Sequence, residues 1–280
     1  MASCLVLGCG FTGERVARLL LAGGHEVHVT AREPGRLGPL AGAGAVVHPL
    51  DLAVAGSAEA LAARLPATLR VLHSVPVVVD GGAPADPTPP LVAALGSRVE
   101  RWCYLSTTSV YGAAREVDER TAAAPGEERA RLRIDAEDAV VAAGAPSLVL
   151  RPAAIYGPGR RVHMAIREGR HSLSGDGSNV ISRIHVDDLA ALAAAGLLSG
   201  LEGRFPVADD EPCESRVIAA FVAKLLGVPA PQPGPAAPVG STLRADRRVD
   251  GSAVRRLLGV VLLFPSYRVG IPACLAAEAR

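Results

Sequence analysis

A doubly wound parallel α/β sheet with a small C-terminal lobe is the fold that this 280-residue sequence predicts. Three observations predict it. Short apolar, β-branched runs alternate with segments of helical periodicity through the first half of the chain. The first run ends in a glycine-rich turn that opens directly into a helix. Apolar residues make up 49% of the chain, enough to cover a sheet on both faces.

The elements follow in order. CLVLGCG (4–10) reads as the first strand, and ERVARLLLAGG (14–24) as a helix closed by Gly23 and Gly24. HEVHVTAR (25–32) alternates as a second strand, and AVVHPL (45–50) is a third. SAEALAARL (57–65) is helical, LRVLHSV (69–75) is a fourth strand, and PPLVAAL (89–95) begins a helix with proline near its start. RWCYLST (101–107) is a fifth strand. EERARLRIDAEDAVVAAG (127–144) is a long helix closed by Gly144, and SLVLRP (147–152) is a sixth strand.

Beyond residue 152 the rhythm loosens. RIHVDDLAALAAAGLL (183–198) reads as a helix with Asp187 or Asp188 near its start, and SRVIAAFVAKLLG (215–227) as an amphipathic helix. VPAPQPGPAAPVG (228–240) reads as an extended surface loop. VDGSAVRRLLG (249–259) is a short helix, and the C-terminus repeats an apolar pattern. Residues 1–152 therefore read as a core. Residues 153–280 form the lobe and complete the core, within one structural unit.

Composition excludes several classes. A net charge of +1 gives no reason to expect a nucleic-acid partner. No apolar run reaches the length of a membrane span, and the start runs straight into a strand, as expected of a cytoplasmic protein. Cys4, Cys9, Cys103, Cys213 and Cys274 are scattered, so neither a disulfide framework nor a metal site is expected. The helices are compatible with a monomer or a homodimer.

Gly8, Gly10 and Gly13 form G-x-G-x-x-G between the first strand and the first helix, with Phe11 and Thr12 inside it. Gly8 permits the tight turn, Gly10 lets a pyrophosphate approach the backbone, and Gly13 lets helix and strand pack closely. The helix N-terminus offers free N–H groups to phosphate. The second strand ends in Ala31 and Arg32 where an acidic residue would hold an adenosine ribose. That favours the 2′-phosphate of NADP over NAD, although Glu33 and Arg36 follow. Asp51 and Leu52 after the third strand fall near the expected adenine, and Asp51 reads equally as a loop cap.

Together with this turn, LDL (50–52), YLSTTSVYG (104–112), LVLRPAAIYGPGR (148–160) and RIHVDDLA (183–190) occur in an order that resembles the extended short-chain dehydrogenase/reductases, the NAD(P)-dependent epimerases and dehydratases. RRVDGSAVRRLLG followed by FPSYRVGI looks like the C-terminal part of an atypical branch. The resemblance implies a Rossmann fold, bound NAD(P) and a lobe that takes a small polar metabolite, such as a sugar nucleotide or a carbonyl compound. It also implies a hydroxyl at the end of the fifth strand and Tyr-x-x-x-Lys on the next helix.

By spacing from Tyr111, Thr107 holds the hydroxyl position, with Thr108 beside it. The tyrosine and lysine are absent, because the only lysine is Lys224. Arg129 falls at the tyrosine position and Arg133 at the lysine position. An arginine stays protonated and exchanges no useful proton, but Arg133 can anchor the cofactor or an anionic substrate. Both arginines read equally as exposed residues pairing with Glu128, Asp135 or Glu137 at helical spacing. Tyr111 and Tyr156 each precede a glycine after a strand end, where ligands bind in such sheets. Tyr156 and Arg160 are the substrate-side candidates, and His185 reads as structural. The expected activity is that of an NAD(P)-dependent oxidoreductase or epimerase-like enzyme with an atypical site. The competing reading is a non-catalytic NADP-binding sensor, which the missing relay favours.

Overall fold

A computed structural model describes residues 2–80, 83–160, 162–238 and 245–279. Seven parallel strands form the central sheet. They are β1 (Ser3–Leu7), β2 (Glu26–Ala31), β3 (Val46–Pro49), β4 (Leu69–His73), β5 (Val99–Leu105), β6 (Ser147–Pro152) and β7 (Gly203–Val207), in spatial order β7-β6-β5-β4-β1-β2-β3. The order in which successive strands are added reverses between β1 and β4, so a crevice opens there at the C-terminal strand ends. Val6, Leu7, Leu72, Cys103, Leu148 and Leu150 are solvent-free, as both-face coverage demands.

Three segments hold the crevice. Helix α1 (Gly13–Ala22) turns Val16, Ala17 and Leu20 inward, against helix α5 (Val186–Leu198) on the same face. Helices α2 (Ser57–Ala62), α3 (Thr88–Leu95) and α4 (Glu128–Ala142) cover the other face, where Leu61, Leu91, Trp102 and Val140 share one apolar cluster. Helix α7 (Ser252–Leu258) lies beside β7, and the lobe packs α6 (Ser215–Leu226) and α8 (Tyr267–Glu278) around Ile218, Val222, Tyr267 and Ile271. No helix among the described residues is long and apolar enough to cross a membrane.

The structure departs from the sequence reading in four places. Strand β7 was not expected. It pairs with β6 from Gly203↔Leu148 to Val207↔Pro152, and its Pro206 is tolerated because β7 is the sheet edge. Residues Arg183–His185 form a short strand beside Ala154–Tyr156, so α5 starts only at Val186. Its N-cap is His185, whose ring accepts from the Asp187 N–H, while Asp188 binds the N–H groups of Leu263 and Phe264 at 2.7 and 3.0 Å. The proline-rich stretch contains a two-residue strand, Pro233–Gly234, on Leu173–Ser174, and its last two residues, 239 and 240, lie outside the described residues. The apolar C-terminus is helix α8, with Pro272 inside it.

Candidate functional site

Each glycine of the first turn has a distinct steric reason. Gly8 has φ +75°, and a Cβ there would lie 3.0 Å from the backbone of Ser74 and Val75. A Cβ on Gly13 would lie 2.8 Å from the Gly8 carbonyl oxygen and 3.0 Å from Val6 Cγ1. At Gly10 a Cβ meets only the Gly8 carbonyl oxygen, at 3.9 Å, so the loop is open to an approaching ligand on that side. A dinucleotide phosphate fits this cradle, since the following backbone N–H groups open α1. Thr12 is buried at the helix start without a side-chain capping bond. Two guanidinium groups lie over the Phe11 ring, Arg15 at 4.5 Å and Arg160 at 4.9 Å from its centre. Arg15 also binds the Phe11 carbonyl at 2.7 Å and Asp187 at 2.6 Å, which ties the loop to α5.

At the end of β2, Arg32 is exposed, with no ion pair or hydrogen bond from its side chain to another described residue. Arg36 folds back and donates to the Cys9 carbonyl inside the glycine turn. Asp51 accepts from the Ala53 N–H at 3.1 Å, an Asx turn, and Leu52 packs against the core.

The end of β5 opens into a cleft of about 580 Å³. Ser106, Thr107, Thr108, Ser109, Glu127 and Arg247 are among the residues that line it. Thr107 is extended, and its hydroxyl oxygen accepts from the Ser109 N–H at 3.2 Å. Arg247 reaches in from the C-terminal segment and donates to the carbonyls of Thr108, Gly112 and Ala114, holding the whole turn. Tyr111 is buried beneath this turn with Arg151 5.0 Å over its ring, and burial raises its pKa. It does not line the cleft.

Of the side chains at the expected relay positions, Arg133 is turned inward toward the sheet, while Arg129 stays exposed as the sequence allowed. Tyr104 near the end of β5 and Ser106 just beyond it project toward α4, and the helix answers with Arg129, Arg133 and Glu137 at four-residue spacing. Arg129 donates to the Val77 carbonyl at 3.2 Å. Arg133 binds the Val75 carbonyl at 3.2 Å, the Tyr104 hydroxyl at 2.5 Å and Asp86 at 3.3 Å. Asp86 also accepts from the Thr88 N–H and hydroxyl, and that hydroxyl lies 3.1 Å from His73 Nε2. Burial holds the His73 ring neutral, its pKa lowered to about 3, and pushes Tyr104 up to about 12. Glu137 is fully buried, bound by Arg151 at 2.6 and 3.0 Å and by the Ser106 hydroxyl at 2.5 Å. The helical pairings expected from sequence do not form. Arg133 pairs with Asp86 and Glu137 pairs with Arg151.

Tyr156 is placed in the lobe core. Its ring packs edge-on against His185, and its hydroxyl is buried without a hydrogen bond. A Cβ on Gly270 of α8 would lie 2.1 Å from that hydroxyl. The sequence reading did not single out Ser106, Asp86, Arg151 or Arg247. For Arg151 the signal was present, since a charge inside the apolar strand SLVLRP needs a buried partner.

Comparisons with known proteins place this architecture. A model of the NAD dependent epimerase/dehydratase family matches residues 87–208. The chain is 29% identical to 3-diazoavenalumate denitrifying reductase from a Streptomyces species, over 95% of this chain and 98% of that one. A functionally unknown conserved protein from Silicibacter pomeroyi DSS superposes with a TM-score of 0.80 at 30% identity, over the full length of both chains. The Bordetella bronchiseptica enzyme WbmG, solved with NAD and UDP, superposes with a TM-score of 0.78 at 20% identity, over 98% of this chain and 92% of that one.

Proposed function

The chain belongs to the NAD-dependent epimerase/dehydratase family, and from that premise we propose that it is an NADP(H)-dependent reductase whose hydride transfer draws no proton from a protein side chain. One observation carries this reading. The two relay positions hold Arg129 and Arg133, and both guanidinium groups are bound to backbone carbonyls of the segment after β4. Tyr104, Tyr111 and Tyr156 are unsuited to replace the relay, because all three are buried with raised pKa values.

In this reading Gly8, Gly10, Phe11, Thr12 and Gly13 hold the pyrophosphate, and Asp51 and Leu52 border the adenine. Arg32 takes the 2′-phosphate, for which its unpaired, exposed guanidinium is suited. Arg133 serves the cofactor by fixing the Val75 backbone, against which Gly8 is packed. Thr107 and Thr108 orient the acceptor, Ser106 is fixed by Glu137, and Arg247 keeps the turn in place. Arg160 steadies Phe11 from the lobe side.

NADPH, when bound, supplies hydride, and an acceptor that expels a neutral leaving group needs no proton: at a diazonium carbon the C–N bond breaks, N2 departs with the bonding pair and hydride takes its place. The Streptomyces relative, named as a denitrifying reductase of a diazo compound, supports this class of acceptor. The test is NADPH oxidation with an arenediazonium salt and with simple carbonyl compounds, corrected for the uncatalysed rate. Turnover of the diazonium salt with a pH-independent rate, lost in Thr107→Ala, is the expected result. Turnover of carbonyl compounds alone, with an acid-dependent limb, would sink the proposal. Tight NADPH binding with no turnover of either would favour the sensor reading.

A further inference from the structure

The strand pair formed by Glu116–Val117 and Arg248–Val249 borders two clefts, and Val249 lines both. One is the candidate site. The other, of about 460 Å³, collects Glu116, Asp118, Asp209, Asp210 and Asp250. Two of these carboxylates have a cationic partner in the cleft wall: Arg248 beside Glu116 and Arg255 on Asp210. Asp118, Asp209 and Asp250 have no salt bridge to any described residue.

Asp209 is the distinctive member. It is 2% exposed, and one carboxylate oxygen, Oδ2, is buried without any hydrogen-bond partner. The other accepts only the Glu211 N–H, at a long 3.3 Å. A buried carboxylate oxygen normally has a donor, and its absence calls for an explanation. The nearby Arg183 does not supply one, since its guanidinium is turned to the Ile181 carbonyl at 2.7 Å and Cys213 Sγ at 3.4 Å. Asp118 and Asp250 each spend one oxygen on a local turn, on the Arg120 and Ser252 N–H groups. Among the described residues no three His, Cys, Asp or Glu side chains are arranged to hold a metal ion. Carboxylates too dispersed for one metal suit a cation whose donors are spread over several atoms.

We propose that this second cleft binds a small organic cation through its ammonium or guanidinium head group, with Asp209 as the buried anchor and Asp118 and Asp250 at the mouth. The site is separate from the candidate active site and does not depend on the proposed reduction.

Protonation of Asp209 supplies a distinguishing signature. It is faced by Arg183 and Tyr156 from the two lobe strands, by Asp210 and Glu211 on its own segment, and by the charged residues of the cleft wall. Burial outweighs these and pushes its pKa up to about 8. At pH 7 the carboxyl is therefore mostly protonated, and a cation that binds the ionised form must release that proton. Affinity should then rise about tenfold from pH 7 to pH 9.

The experiment is calorimetric titration of the full chain with agmatine and with putrescine at both pH values, in two buffers of different ionisation heat. Calcium chloride provides a third arm. Saturable binding of at least one amine, release of close to one proton at pH 7 but not at pH 9, and at least tenfold weaker binding by Asp209→Asn are expected. Asp118→Asn, on the cleft rim, should weaken binding severalfold with an unchanged melting temperature. Absence of amine binding, binding insensitive to both substitutions, or calcium binding in place of the amines would overturn the proposal.

Discussion

The glycine turn after β1 and the inner face of α4 flank the same crevice, yet they are built on opposite principles. In the turn, side chains are withheld. Gly8 and Gly13 lack a Cβ where one would collide with backbone, and Gly10 leaves the surface open. On α4 the side chains are large, charged and already bound to the protein, as Arg129, Arg133 and Glu137 show. A site made from backbone keeps its donors for a ligand. A site made from long side chains can be captured by whatever acceptors the fold brings near, and here Val75, Val77 and Asp86 capture two of them.

The sharpest way to break this comparison is at Glu137. Replacing it with alanine strands the Arg151 guanidinium, which is 5% exposed, in the core. A loss of about 3–5 kcal/mol in unfolding free energy is expected by urea denaturation. Glu137→Gln should cost less, because the Ser106 bond survives. If Glu137→Ala is neutral, the α4 face is not a rigid assembly.

Next in size is Gly13→Val, which pushes a branched side chain into the Gly8 carbonyl and Val6. Cofactor affinity should fall at least about a hundredfold, near 3 kcal/mol, as measured by fluorescence titration. Arg133→Ala tests the captured side chain. It leaves Asp86, 4% exposed, without its cation, so about 2–3 kcal/mol of stability should be lost. Arg133→Lys should recover part of it, since an ammonium retains the charge but not the fork that reaches Val75 and Tyr104 together. Weaker cofactor binding at unchanged stability would instead mean that the guanidinium contacts the ligand directly. The smallest change expected is Arg32→Ala. It should leave stability untouched and reduce the preference for NADP over NAD by about 1.5–2 kcal/mol in calorimetry. Equal affinities in the parent protein would remove the premise.

The contrast also explains what was legible in the sequence. Gly8, Gly10 and Gly13 announce themselves because a backbone requirement appears at fixed local spacing. Six of the seven sheet strands were legible as apolar, β-branched runs. Strand β7, GRFPV, was not, because a glycine and a proline are tolerated at an edge paired on one side only. The partner of Arg133 was not legible either. Asp86 lies 47 residues away in a loop, and nothing at helical spacing points to it. Likewise, His185 caps α5 where Asp187 or Asp188 was expected near the helix start, because a short strand delays that start by three residues.

The placement of β7 reaches beyond the finished structure to the order of assembly. Leu148 of β6 waits for Gly203, 55 positions later in the chain. During synthesis, the outer edge of β6 therefore presents unpaired N–H and C=O groups until the crossover helix α5 has emerged and docked. An open parallel edge of this kind is a template for association with other chains. The slow event in folding should then be the closing of the sheet by its seventh strand. A nascent chain stalled before residue 203 should be the species that chaperones hold.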